Sequence, residues 1–152
     1  MKFRLALSLI LSFFLQQSCI TVNESSSSQN EYRIEVSISK QRVHVFQDDS
    51  LIKSMSCSTG LQETPSPLGE FKIYEKEDYV YIETHKVGVY FWSKFSGHIS
   101  FHSLLYDRDG NIIQSEADKL GQRASGGCIR LKTDDAKWIF HRIPLGTLVL
   151  VS

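Results

Sequence analysis

A chain of 152 residues has room for one ordinary domain and little else. An apolar share of 41% supports a real core, and an aromatic share of 11% suits a β-rich interior. Lys+Arg and Asp+Glu each number 17, giving zero net charge, a balance that offers no electrostatic surface for nucleic acid.

Residues 1–19 read as a targeting segment. Lys2 and Arg4 form a positive start, and Leu5 to Leu15 is an apolar run too short to span a bilayer comfortably. Gln16-Gln17-Ser18-Cys19 follows, with a small residue before a cysteine as in a lipobox, so Cys19 is the expected lipidation site. Ordinary signal cleavage and a retained anchor are the alternatives; each places the rest of the chain outside the cytoplasm. Residues 20–31, with Ser25 to Ser28 at their centre, lack periodicity and read as a flexible tether to a domain over residues 32–152.

Short strands come next. Ile34, Val36 and Ile38 alternate with polar residues, Val43 and Val45 repeat the pattern, and Leu51 to Ser58 returns after the Gln47-Asp48-Asp49-Ser50 turn. Cys57 alternates with serines and reads as a small buried side chain. The three cysteines occupy three different contexts, which argues against a disulfide framework. Thr64 to Phe71 carries two prolines and a glycine, a rigid loop before another strand. Tyr79 to Ile82 and Gly88 to Trp92 are aromatic strands.

Ile99 and Phe101 alternate with Ser100 and His102. This predicts a half-buried strand with the first two in the core and His102 on an open face. Asp107-Arg108-Asp109-Gly110-Asn111 invites a calcium reading, but the glycine comes too early and Glu116 is out of register. A hairpin turn fits better. Near the C-terminus, Thr133 is the expected N-cap of one short helix that carries Ala136, Ile139 and Phe140 on one face and ends at Pro144. Gly146 to Val151 then closes the chain as a strand.

The chemistry concentrates in Ala124-Ser125-Gly126-Gly127-Cys128-Ile129-Arg130-Leu131. Glycines before a cysteine let backbone N–H groups point at an oxyanion beside Cys128, as acyl transfer requires. If Ile129 begins a strand, Cys128 and Arg130 share a face. The guanidinium would then favour thiolate and could hold a substrate carboxylate. A cysteine nucleophile needs a base. His102, followed by Ser103 to fix its tautomer, is preferred over His85 and His98, and a thiolate–imidazolium pair is expected.

The His102-Ser103 pair upstream of Ser125-x-Gly127-Cys128-Ile129-Arg130-Leu131 resembles the L,D-transpeptidase catalytic domain, the YkuD family. Thr64-Pro65-Ser66-Pro67-Leu68-Gly69-Glu70-Phe71 is similar to that family's Thr-Pro-x-Gly-x-Phe region, and the likeness runs from about Arg33 to the C-terminus. Two departures are visible. Gly126 stands where many members have histidine, and the His102–Cys128 segment is longer than usual, which reads as an inserted hairpin over Leu105 to Ile113.

The resemblance implies an all-β fold, mainly a β-sandwich or barrel, with one short α-helix after the cysteine. It implies Cys128 as nucleophile, His102 as base and Ser103 as its orienter. Ser125, Gly126, Gly127, Arg130 and Tyr90 would form the oxyanion and substrate contacts. The implied substrate is a peptidoglycan tetrapeptide stem, cut before its terminal D-alanine through a thioester on Cys128. A second stem supplies the acceptor for a 3–3 crosslink. The expected protein is a monomeric, lipid-anchored envelope enzyme needing no metal, cofactor or nucleic acid. Water as acceptor would give an L,D-carboxypeptidase with the same residues. A sortase-like reading fits less well, because sortases carry the arginine far beyond the cysteine. A non-catalytic envelope lipoprotein that binds peptidoglycan is the remaining alternative.

Overall fold

The structure, a computed structural model, describes residues 31–152. The targeting segment, the lipidation expected at Cys19 and the tether, apart from Glu31, lie outside the described residues. Among the described residues no helix is long and apolar enough to cross a membrane.

Among the described residues, alternating apolar positions build nine strands: β1 (Tyr32–Ser37), β2 (Arg42–Gln47), β3 (Ser50–Ser58), β4 (Gly69–Lys72), β5 (Glu75–Ile82), β6 (Val87–Ser96), β7 (Ile99–His102), β8 (Ile129–Leu131) and β9 (Leu148–Val151). They form one curled sheet in the order β4-β9-β1-β2-β3-β8-β7-β6-β5. The β1–β9 and β7–β8 pairs are parallel and the others antiparallel. The all-β expectation is met. Curling gives the sheet a concave interior where Ile34, Val36, Val43, Val45, Met55, Phe101, Ile129 and Leu131 are buried together. Cys57 sits in that core as a free cysteine at 0% exposure, and burial pushes its thiol up to about 12.

Among the described residues there are two helices, α1 (Gln114–Ala117) and α2 (Thr133–Arg142); α2 is the helix expected after the cysteine and α1 is additional. A four-residue helix is too short to leave a periodic signature in a sequence. α2 covers the open edge of the core with Ala136 and Ile139. Lys76 of β5 reaches the carbonyls of Phe140 (2.5 Å) and Ile143 at its C-terminal end, where a cation suits the helix dipole. Phe91 adopts φ 58°, an outlying conformation for a bulky residue, and its ring packs on Phe140 at 5.7 Å.

One helix-start expectation needs correction. Thr133 is the first helical residue rather than the cap, and Lys132, at the cap, makes no side-chain capping bond. The Thr133 hydroxyl is instead committed to the Tyr106 hydroxyl at 2.8 Å. This contact ties the start of α2 to the segment that follows His102. That segment does turn tightly: the Asp107 carboxylate accepts the N–H groups of Asp109 (2.9 Å) and Asn111 (2.8 Å). Its carboxylate therefore serves the turn itself.

Candidate active site

Strands β7 and β8 run side by side with Phe101 opposite Ile129 and His102 opposite Arg130. Phe101 and Ile129 face the core. On the other face lie Ser100 and His102 from one strand and Cys128 and Arg130 from its neighbour, as period-two alternation requires. His102 was expected on an open face, but it is buried at 4% exposure. The reason is that both faces of β7 are covered.

Buried hydroxyls fix the loop that carries Cys128. Ser66 donates to the Gly127 carbonyl (2.7 Å) and accepts the Gly60 N–H (3.0 Å). Ser125 donates to the Cys128 carbonyl (2.6 Å) and accepts the Gly127 N–H (3.0 Å). The Thr59 carbonyl accepts the N–H groups of Ala124 (2.9 Å) and Ser125 (3.1 Å). Gly127 has φ +121°, and a Cβ there would lie 2.7 Å from Ile99 Cδ1, so only glycine fits. Gly126 faces open space.

This geometry revises the oxyanion expectation. The Gly127 N–H is engaged by Ser125 Oγ in the resting site. Ser125 thus acts on the shape of the turn rather than facing substrate with its hydroxyl.

His102 Nδ1 lies 2.7 Å from the Ser103 carbonyl. A carbonyl oxygen only accepts, so Nδ1 carries the proton and Nε2 holds the lone pair of a base. Ser103 orients the histidine through its backbone. Its hydroxyl instead donates to the Leu104 carbonyl (2.6 Å) and accepts the Tyr90 N–H (2.9 Å). Tyr90 was expected in the cleft but is not among the residues lining it. Its ring is held between Tyr79 (4.8 Å) and Tyr106 (4.9 Å), and its backbone pins Ser103.

A cavity of about 620 Å³ opens over this face, lined by Cys128, His102, Arg130, Ser125 and Gly126 together with Trp92, His85 and His98. Glu116 and Lys119, brought by α1 and the turn after it, complete the wall. Glu116 bonds Arg130 at 2.6 Å and Lys119 at 2.5 Å, and these contacts hold its carboxyl below the usual carboxylate range. Arg130 therefore reaches the cavity partly neutralised rather than as a bare charge. Sequence reasoning did not find Glu116 or Lys119. Ser100, whose hydroxyl lies 3.7 Å from Cys128 Sγ, was legible as a residue sharing the face of His102.

The resting protonation state also differs from expectation. Burial pushes the His102 imidazole from 6.5 down to about 4; the Ser103 bond opposes this and the Arg130 charge adds to it. Burial likewise raises the Cys128 thiol above its ordinary value, with Ser100 and Arg130 pulling back. Both shifts favour a neutral thiol beside a neutral imidazole over the expected ion pair, because neither charged form is well solvated there.

A family model described as the L,D-transpeptidase catalytic domain, YkuD, matches residues 31–151. The putative L,D-transpeptidase YciB of Bacillus subtilis is 34% identical over 130 residues, covering 82% of this chain and 67% of that protein. Among solved structures, a fused Zn-dependent amidase/peptidase/peptidoglycan-binding domain-containing protein from Clostridium acetobutylicum aligns with TM-score 0.65 and 28% identity, over 80% of this chain and 52% of that one. L,D-transpeptidase 3 from Mycobacterium tuberculosis, in complex with a faropenem-derived adduct, shares the fold at TM-score 0.65 and 21% identity, over 80% of this chain and 60% of that one. The chain thus spans between about half and two thirds of the length of these proteins.

Proposed function

This chain belongs to the L,D-transpeptidase catalytic domain family, and from that premise we propose that it is a cysteine acyltransferase acting on peptidoglycan tetrapeptide stems. The observation that carries the proposal is the shared cavity of Cys128 and His102, with His102 Nε2 as the nitrogen left basic.

The reaction follows from these groups. Cys128 Sγ attacks the carbonyl carbon of the third stem residue while its proton passes to His102 Nε2 and the carbonyl π pair moves onto oxygen. The Cys128 N–H stabilises that oxyanion, joined by the Gly127 N–H if Ser125 releases it. Collapse expels D-alanine, whose amine takes the proton from His102, and leaves a thioester. The amine of a second stem attacks the thioester, loses its proton to His102 and displaces the thiolate, which is then reprotonated. The product is a 3–3 crosslink. Water in place of the amine gives the carboxypeptidase outcome. Arg130 and Lys119, with one carboxylate between them, leave the cavity wall one positive charge in excess, which suits a donor stem bearing carboxylates. Export and a lipid anchor at Cys19 complete the proposal and would keep the enzyme at the envelope beside its polymer.

The test is incubation of the protein with a disaccharide-tetrapeptide, read by mass spectrometry beside Cys128→Ala. A dimer lacking one D-alanine, absent from the variant, is expected. Tripeptide monomer alone would assign a carboxypeptidase, and no Cys128-dependent product would overturn the reading in favour of a binding protein.

A further inference from the structure

We propose that Ser100 is a catalytic hydrogen-bond donor to the nucleophile, its hydroxyl holding the Cys128 sulfur and stabilising the thiolate as it forms. The inference rests on Cys128 being the nucleophile of the function proposed above, and it adds a residue outside the motif that identified the site.

Strand register makes the case first. With Phe101 opposite Ile129 in a parallel ladder, the residue before each, Ser100 and Cys128, also lie across from one another. His102 is opposite Arg130, one alternation further along. At a strand spacing of about 4.8 Å and a rise of about 3.3 Å per residue, the His102 backbone is about 8 Å diagonally from that of Cys128. The direct neighbour of the sulfur is therefore serine, and the base reaches it on the diagonal.

The hydrogen bonds agree. Ser100 Oγ donates to Cys128 Sγ at 3.7 Å, and the thiol itself donates to the His98 carbonyl at 3.6 Å. Ser100 is at 0% exposure, and among the described residues its hydroxyl has no other hydrogen-bond partner. Buried serines commonly donate to a backbone carbonyl, as Ser58 does to Lys119 and Ser66 to Gly127. Ser100 donates instead to sulfur, a weak acceptor as a thiol and a strong one as a thiolate. The bond therefore strengthens as charge develops, which is what accelerates a reaction rather than merely holding its ground state.

Beside the hydroxyl, the Ser100 backbone N–H also favours the thiolate; other sources of its stabilisation are limited. The Arg130 guanidinium is engaged by Glu116, His102 rests neutral, and α2 begins only at Thr133, beyond β8. During attack the thiol proton goes to His102 Nε2 and the S–C bond forms. Ser100 keeps its own proton throughout and donates again when the thioester breaks and sulfur departs as thiolate.

The experiment is iodoacetamide alkylation of Cys128 in the full chain across pH, followed by mass spectrometry, for wild type, Ser100→Ala and Ser100→Thr. Buried Cys57 reports folding in the same sample. In the alanine variant the midpoint should rise by about one pH unit, roughly a tenfold loss of thiolate below it, while the threonine variant stays near wild type. An unshifted alanine variant, or alanine and threonine variants that shift together, would overturn the proposal and leave Ser100 as packing. Should Cys57 become labelled in the alanine variant, Ser100→Gly, which lacks the hydroxyl and needs less room, is read by the same criterion. Alkylation needs no stem peptide. A wild type that fails to turn over tetrapeptide sinks the proposed function alone, and active wild type with an unshifted Ser100→Ala sinks only this inference.

Discussion

A buried neutral histidine makes stability depend on pH in a definite direction. His102 is held at about 4 in the folded chain against 6.5 as its ordinary value. Between those values the unfolded chain binds the proton that the folded one refuses, so stability falls as pH drops from 6.5 through about 4 and changes no further on this account below that. The gap, at about 1.36 kcal/mol per pH unit, comes to about 3 kcal/mol. Replacing the imidazole with a non-titrating amide of similar reach, His102→Gln, should abolish that component. The assay is urea unfolding of wild type and variant between pH 7.5 and pH 4. Carboxylates such as Glu116 titrate in both proteins and cancel in the difference. Wild type should lose about 3 kcal/mol more than the variant, equivalent to a midpoint difference of about 1–3 M urea for a small domain. Parallel pH curves would refute the reasoning, since they would mean His102 is solvated enough to ionise in place.

Three further outcomes follow from the geometry. Gly127→Ala forces a side chain onto φ +121° with its Cβ 2.7 Å from Ile99 Cδ1, so its unfolding free energy should fall by about 1–3 kcal/mol. Gly126→Ala meets nothing within 4 Å and should unfold like wild type by the same measurement. Glu116→Gln removes the charge that partly neutralises Arg130, so the Cys128 alkylation midpoint should move down in pH. A midpoint that rises would mean Arg130 depends on Glu116 for its position.

The sequence disclosed the parts of the site whose chemistry is intrinsic to residue type. A cysteine after two glycines and a histidine on an alternating strand carry their meaning wherever they fold, and the structure brings both to one cavity. Residues whose meaning depends on a neighbour were harder to read. Ser100 lay in plain view two residues before His102, but a strand serine has no chemical signature until the register shows what it faces. Glu116 and Lys119 ride on one turn of helix and the turn after it, just beyond the segment read as an inserted hairpin, and only the folded chain brings them to the cavity wall beside Arg130. Tyr90 shows the opposite case. Alternation gives Tyr90 and Trp92 one face of β6, yet rings from β5 and from the segment after β7 capture Tyr90, while Trp92 lines the cavity.

The parallel β7–β8 pair explains why these pieces cooperate. An antiparallel pair would set Ser100 and Cys128 at opposite ends of the contact, whereas the parallel register starts both strands together and aligns serine with cysteine and histidine with arginine. In the proposed reaction, a base placed on the diagonal from its nucleophile, and desolvated enough to stay neutral, has little pull on the thiol proton at rest. Proton transfer is then favourable only when sulfur is already bonding to carbon, because only then does the thiol acidify enough to match a weak imidazole. A site built this way guards Cys128 against indiscriminate reaction. Its reactivity toward a bound acyl donor should exceed its reactivity toward iodoacetamide by far more than the binding of that donor alone provides, and rapid neutral-pH alkylation of wild type would contradict it.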